Sequence, residues 1–75
     1  MSTLAELAVG QSARVAKVEG VDEISIRLME MGLVPGTDLR VLGVAPLGDP
    51  LEIEIRGYRL SVRKSEAARV QLAAG

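Results

Sequence analysis

The sequence predicts a mainly β fold: a small barrel of about five strands with one short helix inserted. Two observations carry this. Leu51, Ile53 and Ile55 alternate with Glu52, Glu54 and Arg56, and Leu60 and Val62 alternate with Arg59, Ser61 and Arg63, the period-two signature of a half-buried hairpin. Around that hairpin, turn residues cut the rest of the chain into strand-length pieces, with a single stretch of helical periodicity among them.

The elements follow in order. Leu4 and Leu7 form a short apolar pair before Gly10, an N-terminal turn expected to pack on the body. Ala13 to Val18 reads as the first strand. Ala13 and Val15 point one way and Ala16 and Val18 the other, which places a bulge near Ala16. Gly20 ends the strand. Asp22 caps a helix from about Glu23 to Met31, Glu23 favours its first turn, and Gly32 stops it. Ile24, Leu28 and Met31 share one face, with Ile26 and Met29 nearly opposite, so the helix is apolar on two sides.

Val34-Pro35-Gly36-Thr37 suits a type II turn, in which Pro presets the first central residue and Gly supplies positive φ at the second. A strand from Leu39 to Ala45 follows, bent at Gly43. Pro46-Leu47-Gly48-Asp49-Pro50 is a rigid loop. A type II′ turn at Gly57-Tyr58 would pair Ile55 with Leu60, Ile53 with Val62, Glu54 with Ser61 and Glu52 with Arg63. Lys64 to Ala68 reads as one helical turn, and Val70 and Leu72 as a last short strand. Strand, helix, strand, hairpin, turn, strand is the order of a small SH3-like barrel, a closed form with few exposed edges.

Composition narrows the function. Seventy-five residues make one domain, 1–75, which buries roughly 60–65% of its unfolded surface. With no Cys and no His, a disulfide framework and the usual structural zinc site are excluded, and aliphatic packing must carry stability. Nine Lys and Arg against ten Asp and Glu leave a net charge of −1, unlike a general nucleic-acid binder. Tyr58 is the only aromatic residue, so stacking platforms for single strands and the groove that grips Pro-rich peptides are missing. An RNA-binding barrel is disfavoured on both counts. No segment approaches the ~20 apolar residues that span a bilayer. The N-terminus lacks the basic start and apolar run of a secretory signal. The expected location is the cytoplasm, without membrane insertion.

Catalytic chemistry is not expected. Serines 2, 12, 25, 61 and 65 have no histidine to act as base, and Lys64-Ser65 are adjacent in a turn and face apart. Glu52 and Glu54 share a strand face that reads as solvated rather than metal-binding. Gly43 to Gly48 lacks the Gly-Lys-Ser/Thr ending of a phosphate-binding loop. No cofactor is called for.

What remains points to contact with a partner. Pro46 and Pro50 stiffen a loop presenting Leu47, which either folds back as a lid or stands out as an anchor. Ile26 and Met29 are either covered by Leu4 and Leu7 or left as a second apolar contact, and Tyr58 at the hairpin tip is a further candidate. Arg56, Arg59, Arg63, Lys64 and Arg69 gather in the C-terminal half, either as solvated ion pairs or as a docking patch for an acidic partner. Exposed strand edges and aliphatic patches would also allow weak self-association.

Three blocks of the sequence resemble the FeoA family. Arg27 to Thr37, RLMEMGLVPGT, is similar to its RL-x-x-hydrophobic-GL-x-PG signature. Ala45 to Pro50, APLGDP, is similar to its loop of the same sequence, and Gly57 to Ala67 to its closing segment. The blocks come in family order and span nearly the whole chain. The resemblance implies an SH3-like barrel with an inserted helical segment. It implies a cytosolic partner of FeoB, the membrane ferrous-iron transporter with a cytosolic GTP-hydrolysing domain. Family members also occur fused to that transporter and at the C-terminus of iron-dependent repressors; this chain resembles the free-standing form. The leading expectation is an accessory protein that docks on the transporter and modulates it. The alternative is a metal-binding sensor or carrier that reads iron directly, which without His or Cys would rest on carboxylates and carbonyls.

Overall fold

In a computed structural model, residues 2–73 are described. A 3-10 turn at Leu4–Glu6 leads into β1 (Ser12–Val18), α1 (Glu23–Glu30), β2 (Asp38–Val44), β3 (Leu51–Ile55), β4 (Tyr58–Val62), α2 (Lys64–Ala67) and β5 (Val70–Leu72). The strands form one antiparallel sheet in the order β4-β3-β2-β1-β5. Its inner face gathers Val15, Leu39, Val41, Leu51, Ile53, Ile55, Val62, Val70 and Leu72 with Leu4, Leu28, Leu33 and Ala67 into one buried cluster. This is the SH3-like, five-stranded fold expected. One part of the expectation needs correcting: among the described residues no ladder joins β4 to β5, so the sheet stays open and α2 links its two ends. The other side of β5 is taken by the N-terminal segment: Thr3 bridges to Gln71, and the Leu72 N–H donates to Ser2 O at 3.0 Å.

The helix starts and stops where its sequence dictates. The Asp22 carboxylate accepts from the Ser25 N–H at 3.2 Å, satisfying one donor of the first turn. Arg69 reaches the same carboxylate, at 2.5 Å. That guanidinium, and then the Ser25 amide, hold the Asp22 carboxyl down at about 2 from its ordinary 3.8. At the far end Gly32 has φ 113°, the Gly32 N–H donates to Met29 O at 3.0 Å, and the Leu33 N–H to Leu28 O at 3.1 Å. This double closure drops the two buried leucines into the core together. Beyond it, Thr37 N–H donates to Val34 O at 3.1 Å with Gly36 at φ 90°, the type II turn the Pro-Gly pair encodes.

The β1 bulge lies between Val15 and Lys17, as the phase shift at Ala16 required. A second irregularity falls between Val41 and Gly43. The β3–β4 hairpin differs from expectation. Ile55 pairs with Tyr58, Ile53 with Leu60, Leu51 with Val62, Glu54 with Arg59 and Glu52 with Ser61. The turn is Arg56-Gly57, both at positive φ (48° and 85°), a type I′ geometry. The register is thus two residues from the expected one. A two-residue slip keeps every side chain on its face, so alternation cannot detect it. The observed register sets Leu51 against Val62 with both buried, where the other would leave Leu51 facing Lys64. Glu52 therefore meets Ser61, whose hydroxyl donates to it at 2.5 Å, and not Arg63.

Candidate functional site: the β2–β3 loop and its flank

The β2–β3 ladder ends at the Val44–Leu51 pair. Beyond it the Ala45 N–H donates to Pro50 O at 3.1 Å, closing the neck of the loop. Gly48 N–H then donates to Ala45 O at 2.7 Å, making a tight turn with Pro46 and Leu47 as its central residues. Gly48 takes φ 88°, a conformation that costs glycine little. Asp49 reaches sideways: its carboxylate accepts the Lys64 N–H at 2.9 Å, bracing the loop on the first turn of α2. Leu47, at the apex, is 96% exposed. It is not a lid over the barrel. Of the two placements open in the sequence, folded back or standing out, the structure has Leu47 standing out.

The other predicted contacts fall in different places. Ile26 lies on the outer face of α1, 47% exposed, with Met29 half-buried beside it. The N-terminal turn does not cover Ile26: Leu4 is buried in the main core, and its turn packs on α2 and β5. Tyr58 is not at the hairpin tip. It is the first residue of β4, its ring half-exposed and its hydroxyl donating to Met31 O at 2.7 Å.

Beside the loop runs a groove of about 360 Å³ lined by Arg27, Asp49, Pro50, Ser61, Arg63 and Glu66. Glu66 is nearly buried. It is ion-paired with Arg27 and accepts the Arg63 N–H at 3.2 Å, so both its oxygens are engaged. The basic residues of the C-terminal half separate into two groups. Arg69 is held by Asp22 and by Ser25 Oγ at 3.1 Å, and Arg56 lies 3.4 Å from Thr37 Oγ1. Arg59, Arg63 and Lys64 have no carboxylate within ion-pair distance among the described residues. A larger hollow of about 700 Å³ lies at the other end of the sheet. It is walled by cross-strand rows in which Arg14 faces Asp38 and Arg40 faces Glu54, the compensated pattern of a solvated face.

Neither the Asp49–Lys64 brace nor the Arg27–Glu66 pair was visible in the sequence. The partners lie 15 and 39 residues apart, and no local pattern signals them. The Arg63–Glu66 contact had a signal, an acidic residue three positions after the cap. Among the described residues no group of three or more His, Cys, Asp or Glu could hold a metal ion, and no helix is long and apolar enough to cross a membrane.

Comparison with known proteins agrees with this architecture. The FeoA domain pattern matches residues 2–74. A Fe(2+) transport protein A/Fe(2+) transporter FeoB fusion protein of Porphyromonas gingivalis is 38% identical over 69 residues, which cover 92% of this chain and 8% of that one. The chain thus spans a small fraction of the fusion protein's length. The FeoA protein of Chlorobium tepidum superposes with a TM-score of 0.87 at 41% identity, covering 95% of this chain and 68% of that one. The zinc-complexed FeoA of Stenotrophomonas maltophilia, a prokaryotic SH3 domain protein, gives 0.86 at 36% identity over 97% and 91%. FeoA domains are accessories of iron transport and not a known family of enzymes. Pattern, identity and superposition agree over nearly the whole chain, and the chain belongs to the FeoA domain family, associated with ferrous-iron transport.

Proposed function

We propose that the chain is a docking module of ferrous-iron uptake. It binds the cytosolic part of a FeoB-type transporter at the inner face of the membrane and modulates its activity. The observation that carries this is Leu47: a large aliphatic side chain, 96% exposed, on a loop tied at its neck and braced on α2. At that exposure the side chain contributes almost nothing to packing among the described residues. A rigid apolar anchor is what an interface hot spot requires, because little entropy is lost when it is buried. The fusion of such a domain to FeoB in P. gingivalis supports the choice of partner. Pull-down of the transporter's cytosolic part, with iron uptake measured in a strain lacking this chain, tests the reading. The expected result is capture by the wild-type protein, loss of capture by Leu47→Asp and reduced uptake in the deletion strain. Normal uptake without the chain would defeat it.

A further inference from the structure

The hairpin register determines more than which side chains face the core. The type I′ turn closes on the Ile55–Tyr58 pair, so Ile55–Tyr58, Ile53–Leu60 and Leu51–Val62 are the pairs that exchange backbone hydrogen bonds. Arg59 and Ser61 lie between them, and their N–H and C=O groups point away from β3. β4 ends the sheet, and among the described residues no other segment pairs with it. These groups form a free strand edge. The groove lined by Arg27, Asp49, Pro50, Ser61, Arg63 and Glu66 runs beside it and reaches the base of the Leu47 loop. Its two carboxylates are already engaged, Asp49 by the Lys64 N–H and Glu66 by Arg27 and the Arg63 N–H.

The charge on this edge selects its occupant. Arg59 and Ser61 share one face of β4, and Arg63 follows two residues on at the cap of α2. Among the described residues neither arginine is ion-paired, although Glu54 stands opposite Arg59. A second copy docking antiparallel about Ser61 would set Arg59 of each chain against Arg63 of the other, an arrangement like charges disfavour. A strand with carboxylates at the positions facing those arginines is favoured instead. We infer that the free edge of β4 takes an extended acidic segment of the partner as an added strand. Arg59 and Arg63 read its carboxylates, and the backbone of Arg59 and Ser61 supplies the pairing.

This rests on the docking reading above and names a second contact for the same partner. The test uses the intact chain and the purified cytosolic part of the transporter. Amide hydrogen exchange is followed residue by residue, free and in complex. Exchange at Arg59 and Ser61 should be fast in the free chain and slow by about tenfold or more on binding, equivalent to about 1.4 kcal/mol of added protection. Two variants accompany it. Ser61→Pro removes an outward N–H at an edge position where proline is tolerated. The paired charge reversal Arg59→Glu/Arg63→Glu leaves the backbone intact. Both should weaken binding, and added salt, which weakens binding of the wild type, should strengthen that of the charge-reversed protein by screening its repulsion of the acidic segment. Complex formation that Leu47→Asp abolishes, with Arg59 and Ser61 amides still exchanging freely and the charge reversal binding normally, would overturn the edge proposal and leave the docking reading standing. Absence of any complex with the wild-type chain would overturn both.

Discussion

The Tyr58 hydroxyl donates to the Met31 carbonyl across 2.7 Å, fastening the first residue of β4 to the end of α1. That carbonyl belongs to the last helical turn, where acceptors have no partner within the helix. The contact explains why the only aromatic residue stands where it does. It also ties the hairpin to the helix at a point where strand and helix are 27 residues apart in sequence.

Tyr58→Phe keeps the ring and removes this bond. Because the ring is half-exposed, the loss should be near the low end of a hydrogen bond's net worth, about 0.5–1 kcal/mol. For a domain of this size that lowers the melting temperature by about 2–8 °C in a thermal scan. An unchanged midpoint would mean water replaces the tyrosine at no cost.

Gly32→Ala should cost more, about 1–3 kcal/mol, since it combines a left-handed backbone with steric conflict. A Cβ there would lie 2.9 Å from the Tyr58 hydroxyl and 3.0 Å from Ile55 Cδ1. The two substitutions should not add. In the Gly32→Ala background, removing the Tyr58 hydroxyl relieves one of the clashes, so a double-mutant cycle in denaturant should show positive coupling. Strict additivity would place the cost in the backbone and the Ile55 contact.

Leu47→Asp should leave thermal stability within about 0.5 kcal/mol of wild type, because a fully exposed side chain gives up no core contact. Partner binding should fall by about 2 kcal/mol or more, near thirtyfold in Kd. Measuring both on one preparation separates anchor from lid. A large fall in melting temperature with normal binding of the folded fraction would show that the loop serves the fold.

The Asp22–Arg69 contact predicts a pH signature. The Asp22 carboxyl is held at about 2 in the folded chain against an ordinary 3.8, by Arg69 first and the Ser25 amide second. A folded-state value below the unfolded one favours folding above pH 3.8, and that contribution drains away as pH falls toward 2. Asp22→Asn retains an amide able to cap and cannot titrate. Its stability, followed by urea unfolding across that range, should be flatter with pH than that of the wild type. Parallel curves would assign the acid sensitivity to other carboxylates.

How much of this the sequence held depends on the range of the interaction. The Asp22 cap, the Gly32 stop, the Pro35-Gly36 turn and the Ala16 bulge are each encoded within a few residues, and all are found where the chain places them. The hairpin faces were legible and its register was not, because Ile55 faces inward whether it meets Leu60 or Tyr58. The open seam was not legible because β4 and β5, though consecutive along the chain, are kept unpaired by residues 2–3, which lie far away in sequence and take the other side of β5. The Leu47 loop was legible as rigid, from its prolines. Its exposure was not, because lid and anchor differ only in where the rest of the chain lies.

The β5 end of the sheet carries a final consequence. Thr3 bridges to Gln71, and the Leu72 N–H donates to Ser2 O at 3.0 Å, so residues 2–3 and 71–72 run side by side. The polypeptide is in effect a ring with one seam. Sealing that seam with a short linker and reopening the chain at Arg56-Gly57 would give a circular permutant with every core residue still in place. It would also allow this unit to be spliced into a larger protein as a cassette, entering and leaving at a single point while the Leu47 loop stays unobstructed.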